Sequence, residues 1–260
     1  MDPLTIVAAI ALGMVVGTIV GLTSVGSGAL MTPILLTWFG GTVGALSVVG
    51  TATTYGTVSK FFGIIHNYVK KAIDTDYLFM ISATGLPLAV VGAVYSAYLI
   101  TWNLFSPLLA VVLIVIAVLI AAEARLGKIG AGRDPKITAG LRAKGLAVGA
   151  LVGIIAGFTG VSTGSLLVAC LIILLGFTNR TAVNIAIFEG GLILFAATIT
   201  QLYLGDVDLA FDALLLAGGV PGIITGGHFK DRISQQKLGY IIAAVIILIS
   251  LKTLYSFVGF

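Results

Sequence analysis

The chain has 260 residues, 59% of them hydrophobic and 9% charged, with a formal net charge of +4 and a mean hydropathy of +1.17. Soluble domains carry about 25% charged residues, and 14 Lys and Arg with 10 Asp and Glu cannot cover the surface of a 26.7 kDa globule in water. Composition therefore excludes a water-soluble protein and leaves an integral membrane protein, a single membrane domain over 1–260 with no room for a sizeable soluble part.

Apolar runs bounded by Gly, Pro or charge fall at 4–21, 28–39, 43–65, 77–100 and 104–122, then again at 145–158, 164–176, 181–204, 209–227 and 238–258. They predict an all-α, polytopic transmembrane fold. The first run lacks the basic n-region and small-residue cleavage site of a signal peptide and is expected to be retained. Between the two series lies 123–144, where Arg125, Lys128, Arg133, Lys136, Arg142 and Lys144 outweigh Glu123 and Asp134. Positive loops mark the cytoplasmic side, so this is read as a cytoplasmic linker of a multi-pass protein in the cytoplasmic membrane. The pI near 9.2 has the same origin, and no nucleic-acid partner is expected. Cys170 sits in an apolar run with no second thiol, which rules out a disulfide or a thiolate metal cluster; no metal or cofactor is expected.

The two series match. Gly13, Gly17 and Gly21 recur 136 residues later as Gly149, Gly153 and Gly157, and GLTSVGSGAL (21–30) overlays GFTGVSTGSL (157–166) at that offset. Gly85-Leu-Pro87 resembles Gly219-Val-Pro221 at an offset of 134. The chain is therefore read as a first repeat, 1–122, and a second, 145–260, each of about five segments. With the linker cytoplasmic and one crossing per segment, Lys70, Lys71, Arg180, Lys230, Arg232 and Lys237 all fall inside and 205–208 outside, which predicts repeats of opposite orientation. Treating each glycine-centred pair as one broken crossing would instead put Lys230, Arg232 and Lys237 outside. A re-entrant pair keeps the first parity, and 28–39 would make a helix of roughly 18 Å, short of a ~30 Å hydrocarbon core.

Each repeat opens on a break. Thr23-Ser-Val-Gly-Ser-Gly28 and Thr159-Gly-Val-Ser-Thr-Gly164 place small polar residues where a membrane helix is otherwise apolar, and irregular backbone at depth must be buried in protein or line a wet cavity. A helix starting just after the break offers unpaired N–H groups and the positive end of its dipole. The candidate site for a small anionic substrate is therefore Thr23, Ser24, Gly26, Ser27 and Gly28 with Thr159, Gly160, Ser162, Thr163, Gly164 and Ser165, glycines admitting an oxyanion and hydroxyls donating to it. Helix packing is the competing explanation, and it is preferred for the small-xxx-small glycines of 13–21 and 145–157.

This pattern resembles the sulfite exporter TauE/SafE family of membrane transporters over nearly the whole chain: GLTSVGSGALMTPIL and GFTGVSTGSLLVACL, the basic central linker and the short paired helices. The family often has a fuller glycine run with a following proline in both halves; here Ser27 and Thr163 interrupt the run, and Pro33 is matched by Ala169. The resemblance implies movement of a small sulfur-containing anion such as sulfite, sulfoacetate or another organosulfonate.

Polar residues at depth complete the reading. Glu189 lies in mid-segment, where a carboxylate is costly and serves a proton, ion or substrate path. It is the first choice for coupling, against a carboxyl that merely satisfies a neighbouring helix. Asn184 lines the same path or bonds across helices. Lys60, preceded by Thr51, Thr53, Thr54, Tyr55 and Ser59, attracts the anion or snorkels to the interface. His66 reads as a loop histidine, and Trp38 and Trp102 as interfacial anchors. With no GxxxxGK[ST] loop, direct ATP use is not expected. A secondary active transporter working by alternating access fits best. A passive anion channel is the alternative, and an intramembrane hydrolase using Ser27 lacks an evident base, since His66 and His228 fall at loop edges. Membrane lipid is an expected partner, and assembly into a homo-oligomer is left open.

Overall fold

A computed structural model describes residues 2–23, 27–67, 75–101, 104–126, 134–161, 164–229 and 235–258. These residues form helices and no strands: α1 (Pro3–Thr23), α2 (Gly28–Trp38), α3 (Gly40–Val43), α4 (Ala45–Asn67), α5 (Thr75–Thr101), α6 (Phe105–Leu126), α7 (Ala139–Thr159), α8 (Gly164–Ile173), α9 (Asn179–Leu204), α10 (Leu209–Phe229) and α11 (Gln235–Val258). Each apolar run becomes a helix. The basic stretch is shorter than its composition suggests, because α6 extends to Leu126 and α7 starts at Ala139, where Thr138 caps the helix by accepting from the Leu141 N–H.

By length and composition, α1, α5, α6, α7, α9 and α10 can each cross a membrane. The surface fits that solvent: Leu4, Phe79 and Leu248 are 79%, 74% and 67% exposed, a cost in water but not against acyl chains. The helix α4 has the length but not the hydropathy, because Thr51, Thr53, Thr54, Thr57, Ser59 and Lys60 dilute its apolar residues. Four of these hydroxyls are satisfied within the helix, as where Thr53 Oγ1 donates to the Val49 carbonyl at 2.6 Å and Ser59 Oγ to that of Tyr55 at 2.7 Å. Thr51 is the exception.

Two long parallel pairs dominate the packing. The helix α1 runs beside α10, with Gly13, Gly17 and Gly21 against the backbone of Leu215, Gly219 and Ile223. The helix α7 runs beside α5, with Gly149, Gly153 and Gly157 against Ile81, Gly85 and Ala89. At all six glycines a Cβ would strike a backbone carbonyl oxygen, so only glycine lets the axes come this close. Lipid offers no hydrophobic drive between helices, and close backbone contact supplies dispersion instead.

The ends are tied by polar and aromatic contacts. Asp134, before α7, accepts from the Thr178 N–H at 3.0 Å and from Thr181 Oγ1 at 2.7 Å, at the start of α9. Tyr77 of α5 donates to the Pro135 carbonyl at 2.9 Å and meets the Phe177 ring edge-on at 4.8 Å. Both ends of the α7–α8 pair therefore lie together, beside the starts of α5 and α9. Phe39, at the end of α2, meets Phe211 at the start of α10 with ring centroids 5.2 Å apart. Between these two groups of contacts, α4 and α9 cross in the interior.

Candidate functional site

The second break opens on a left-handed residue. The helix α7 ends where Gly160 takes φ +65° and its N–H returns to the Ala156 carbonyl at 3.0 Å. Glycine is required twice over there, since a Cβ would also lie 2.8 Å from the Val49 carbonyl oxygen and 2.9 Å from Thr53 Oγ1 of α4. Thr159 is buried; its hydroxyl donates to the Ile155 carbonyl at 2.6 Å and accepts from the Val161 N–H at 3.0 Å, so its one proton is committed. The first break also rests on α4. Ser27 precedes α2, and its carbonyl accepts from Leu30 and Met31 while its hydroxyl makes no capping bond. Ser27 Oγ is buried, has no hydrogen-bond partner among the described residues, and stands 3.3 Å from where a Gly56 Cβ would be. The two breaks therefore touch α4 three residues apart, at Thr53 and Gly56, roughly 4.5 Å along the axis and near its middle.

The same stretch of α4 meets α9. Thr57 and Thr198 share a hydrogen bond of 2.7 Å between hydroxyls, and a Cβ on Gly191 would sit 3.5 Å from Lys60 Cβ. Lys60 is buried, against the snorkelling alternative. Glu189, two residues before Gly191, is fully buried and faces α5, where the Ser82 hydroxyl lies 2.9 and 2.7 Å from its two oxygens. One hydroxyl proton serves both oxygens, so the carboxyl keeps capacity for another partner. Asn184 is half-buried on α9. Gly28, Gly164 and Ser165 are buried at the starts of α2 and α8. Ser24, Gly26, Ser162 and Thr163 lie outside the described residues, as do Trp102 and the side chains of Thr23 and His66.

The family model for the sulfite exporter TauE/SafE matches residues 9–253. The chain belongs to the TauE/SafE family. Two Bacillus subtilis (strain 168) proteins are similar along their whole length. One, described as probable membrane transporter protein YjnA, is 29% identical over 253 residues, 95% of this chain and 98% of that one. The other, described as probable membrane transporter protein YunE, is 24% identical over 274 residues, covering 97% and 98%. The protein is thus a multi-pass membrane transporter of the cell membrane.

This TauE/SafE protein also holds polar groups that the sequence did not single out. Ser82 falls within an apolar run, and only a buried acid on a neighbouring helix gives it a role. Thr32 is fully buried, with a hydroxyl that has no partner among the described residues, as is Thr51, which the sequence places ahead of Lys60. Asp212, four residues into α10, is 3% exposed, and an acid so early in an apolar run was the available signal. An apolar cavity of about 480 Å³ between α5 and α7, lined by Val91, Tyr95, Tyr98, Ile154 and Phe158, offers nothing to an anion. The α4–α9 crossing can be tested directly. In a Thr57→Val, Thr198→Val double-mutant cycle, chemical denaturation in lipid or detergent should give a coupling of about 1 kcal/mol. A coupling indistinguishable from zero would mean the hydroxyl pair does not hold the crossing.

Proposed function

We propose that the protein is a secondary active transporter that carries a small sulfur-containing anion, sulfite or an organosulfonate such as sulfoacetate, through a site between the two breaks. The observation that carries this reading is Ser27: a buried hydroxyl with no partner among the described residues, at the start of α2 but making no capping bond to it, beside the α4 segment that the other break also touches. A buried donor left unmade costs about 1–3 kcal/mol, and an oxyanion would take it up together with the helix N–H groups. The candidate cradle is Thr23, Ser24, Gly26, Ser27 and Gly28 facing Thr159, Gly160, Ser162, Thr163, Gly164 and Ser165. Lys60 supplies attraction, while Glu189 and Asn184 serve the coupling path.

The chain is read as two repeats, 1–122 and 145–260, of opposite orientation. Supporting this, α1 pairs with α10 in parallel as α7 does with α5, through residues related by the same offsets of 136 and 134 that appear in the sequence. Further support comes from the α7–α8 pair, which returns to the end it left, as a re-entrant hairpin does. Alternating access then exposes one shared site to either face in turn.

Reconstituted protein in vesicles provides the test. Labelled sulfite uptake should saturate and be stimulated by unlabelled sulfite inside. Flux that rises linearly with concentration, shows no exchange and carries single-channel current would establish a passive pore instead.

A further inference from the structure

A second buried carboxyl lies away from Glu189. Asp212 is in the first turns of α10, and its Oδ1 has no hydrogen-bond partner among the described residues. It does not cap its helix. Asp208 does that, its Oδ1 accepting from the Phe211 N–H at 3.0 Å. On α4, the buried phenol of Tyr55 is within electrostatic reach, but its one hydroxyl proton goes to the Gly13 carbonyl at 2.8 Å, so it can offer Asp212 a lone pair and no donor.

Among the described residues, the charged surroundings give no cation. The helices α1, α2 and α3 carry no titratable side chain, and Asp2 before α1 is exposed and bonded to Thr5. On α4, Lys60 and His66 lie further along, away from the end where Gly50 meets the Asp206 backbone. The remaining neighbours are acids, Asp206 and Asp208, both half-buried in the 205–208 turn, where burial pushes the Asp206 carboxyl up from its ordinary value. A buried carboxyl oxygen among acids, with no donor to it among the described residues, is completed by a proton. We propose that Asp212 is a proton-binding residue at the α4–α10 seam, loaded and emptied from the face that carries the 205–208 turn and independent of Glu189. The two acids occupy corresponding seams, α4 with α10 and α5 with α9, and lie at different depths: Asp212 about one turn into its helix, Glu189 about three turns into its own. A proton site near one face and another near mid-depth would let substrate movement be paired with proton exchange at each face in turn. This role in coupling rests on the transporter reading, whereas proton binding itself does not.

Infrared difference spectroscopy of the full chain in lipid, recorded against pH without any anion, reads the carbonyl stretch of protonated carboxyls. Two titrating bands are expected from the interior. Asp212→Asn should remove one and Glu189→Gln the other. Tyr55→Phe, which keeps both acids, should displace the Asp212 band and spare that of Glu189. If Asp212→Asn does not fold, Asp212→Glu should move the band to a new frequency. A spectrum unchanged by these Asp212 variants, or an Asp212 band that never titrates, overturns the proposal. Because sulfite is absent, a failure here is separate from a failure of sulfite exchange.

Discussion

Ser27→Ala should leave the ligand-free protein at least as stable as the parent while weakening sulfite binding about ten- to hundredfold. The two halves of this expectation come from one atom. Without an anion, Ser27 Oγ is a buried polar group that nothing described satisfies, and alanine removes the cost of burying it. With an anion, the hydroxyl becomes a charge-assisted donor, and losing such a bond costs about 1.5–3 kcal/mol. Gly56 adds a geometric check: it leaves room for Ser27 Oγ, so Gly56→Ala should crowd the hydroxyl and weaken binding as well. Thermal unfolding with and without sulfite, together with calorimetric titration, measures both quantities. A lower melting temperature for the ligand-free variant with an unchanged sulfite shift would make Ser27 a structural residue.

Gly17→Ala and Gly153→Ala should be among the most destabilising single-methyl additions in the chain. In each, the new Cβ would run into the carbonyl of the partner glycine, Gly219 or Gly85, and a backbone atom has no rotamer to retreat into. Overpacking costs about 1–3 kcal/mol and sometimes more, against a helix-propensity gain of roughly 1 kcal/mol from replacing glycine. Gly227→Ala is the control. It lies on α10 with nothing within 4 Å of its Cβ, so only the propensity gain applies and the variant should be neutral or slightly stabilised. Comparable unfolding for all three in denaturant would mean that the paired helices do not set the stability of the fold.

Much of the architecture was legible in the sequence because membrane helices announce themselves by uninterrupted apolar runs. The boundaries that moved did so for local reasons: Thr138 caps α7 and draws Arg142 and Lys144 into the helix, although their charge marks them as linker. The glycine offsets anticipated the α1–α10 and α5–α7 contacts only in part. Spacing showed that Gly13 and Gly149 correspond, but which helix each would face depends on the tertiary arrangement. Polar groups at the site were the least readable. Glu189 stands out in any apolar run, whereas Ser82 gains meaning only from the acid across from it. Thr51 looks no different from Thr53 until one is seen to lack the carbonyl bond the other makes. Asp212 carries a weaker sequence signal than Glu189, because it stands in the first turn of α10 beside the charged 205–208 turn, and only its burial sets it apart.

The glycine seam of α1 also bears on biosynthesis. Gly13 finds its neighbour at Leu215, about two hundred residues downstream, so α1 leaves the ribosome long before its partner is made. At ~5–20 residues per second, its bare backbone stripe waits on the order of 10–40 s in the bilayer for a mate. During that interval a small-residue stripe can pair with any other close-packing helix that reaches it, including α1 of a second nascent chain. Correct assembly therefore depends on α10 displacing such transient companions, and Gly17→Ala would weaken the native match at the stage when competition decides the outcome.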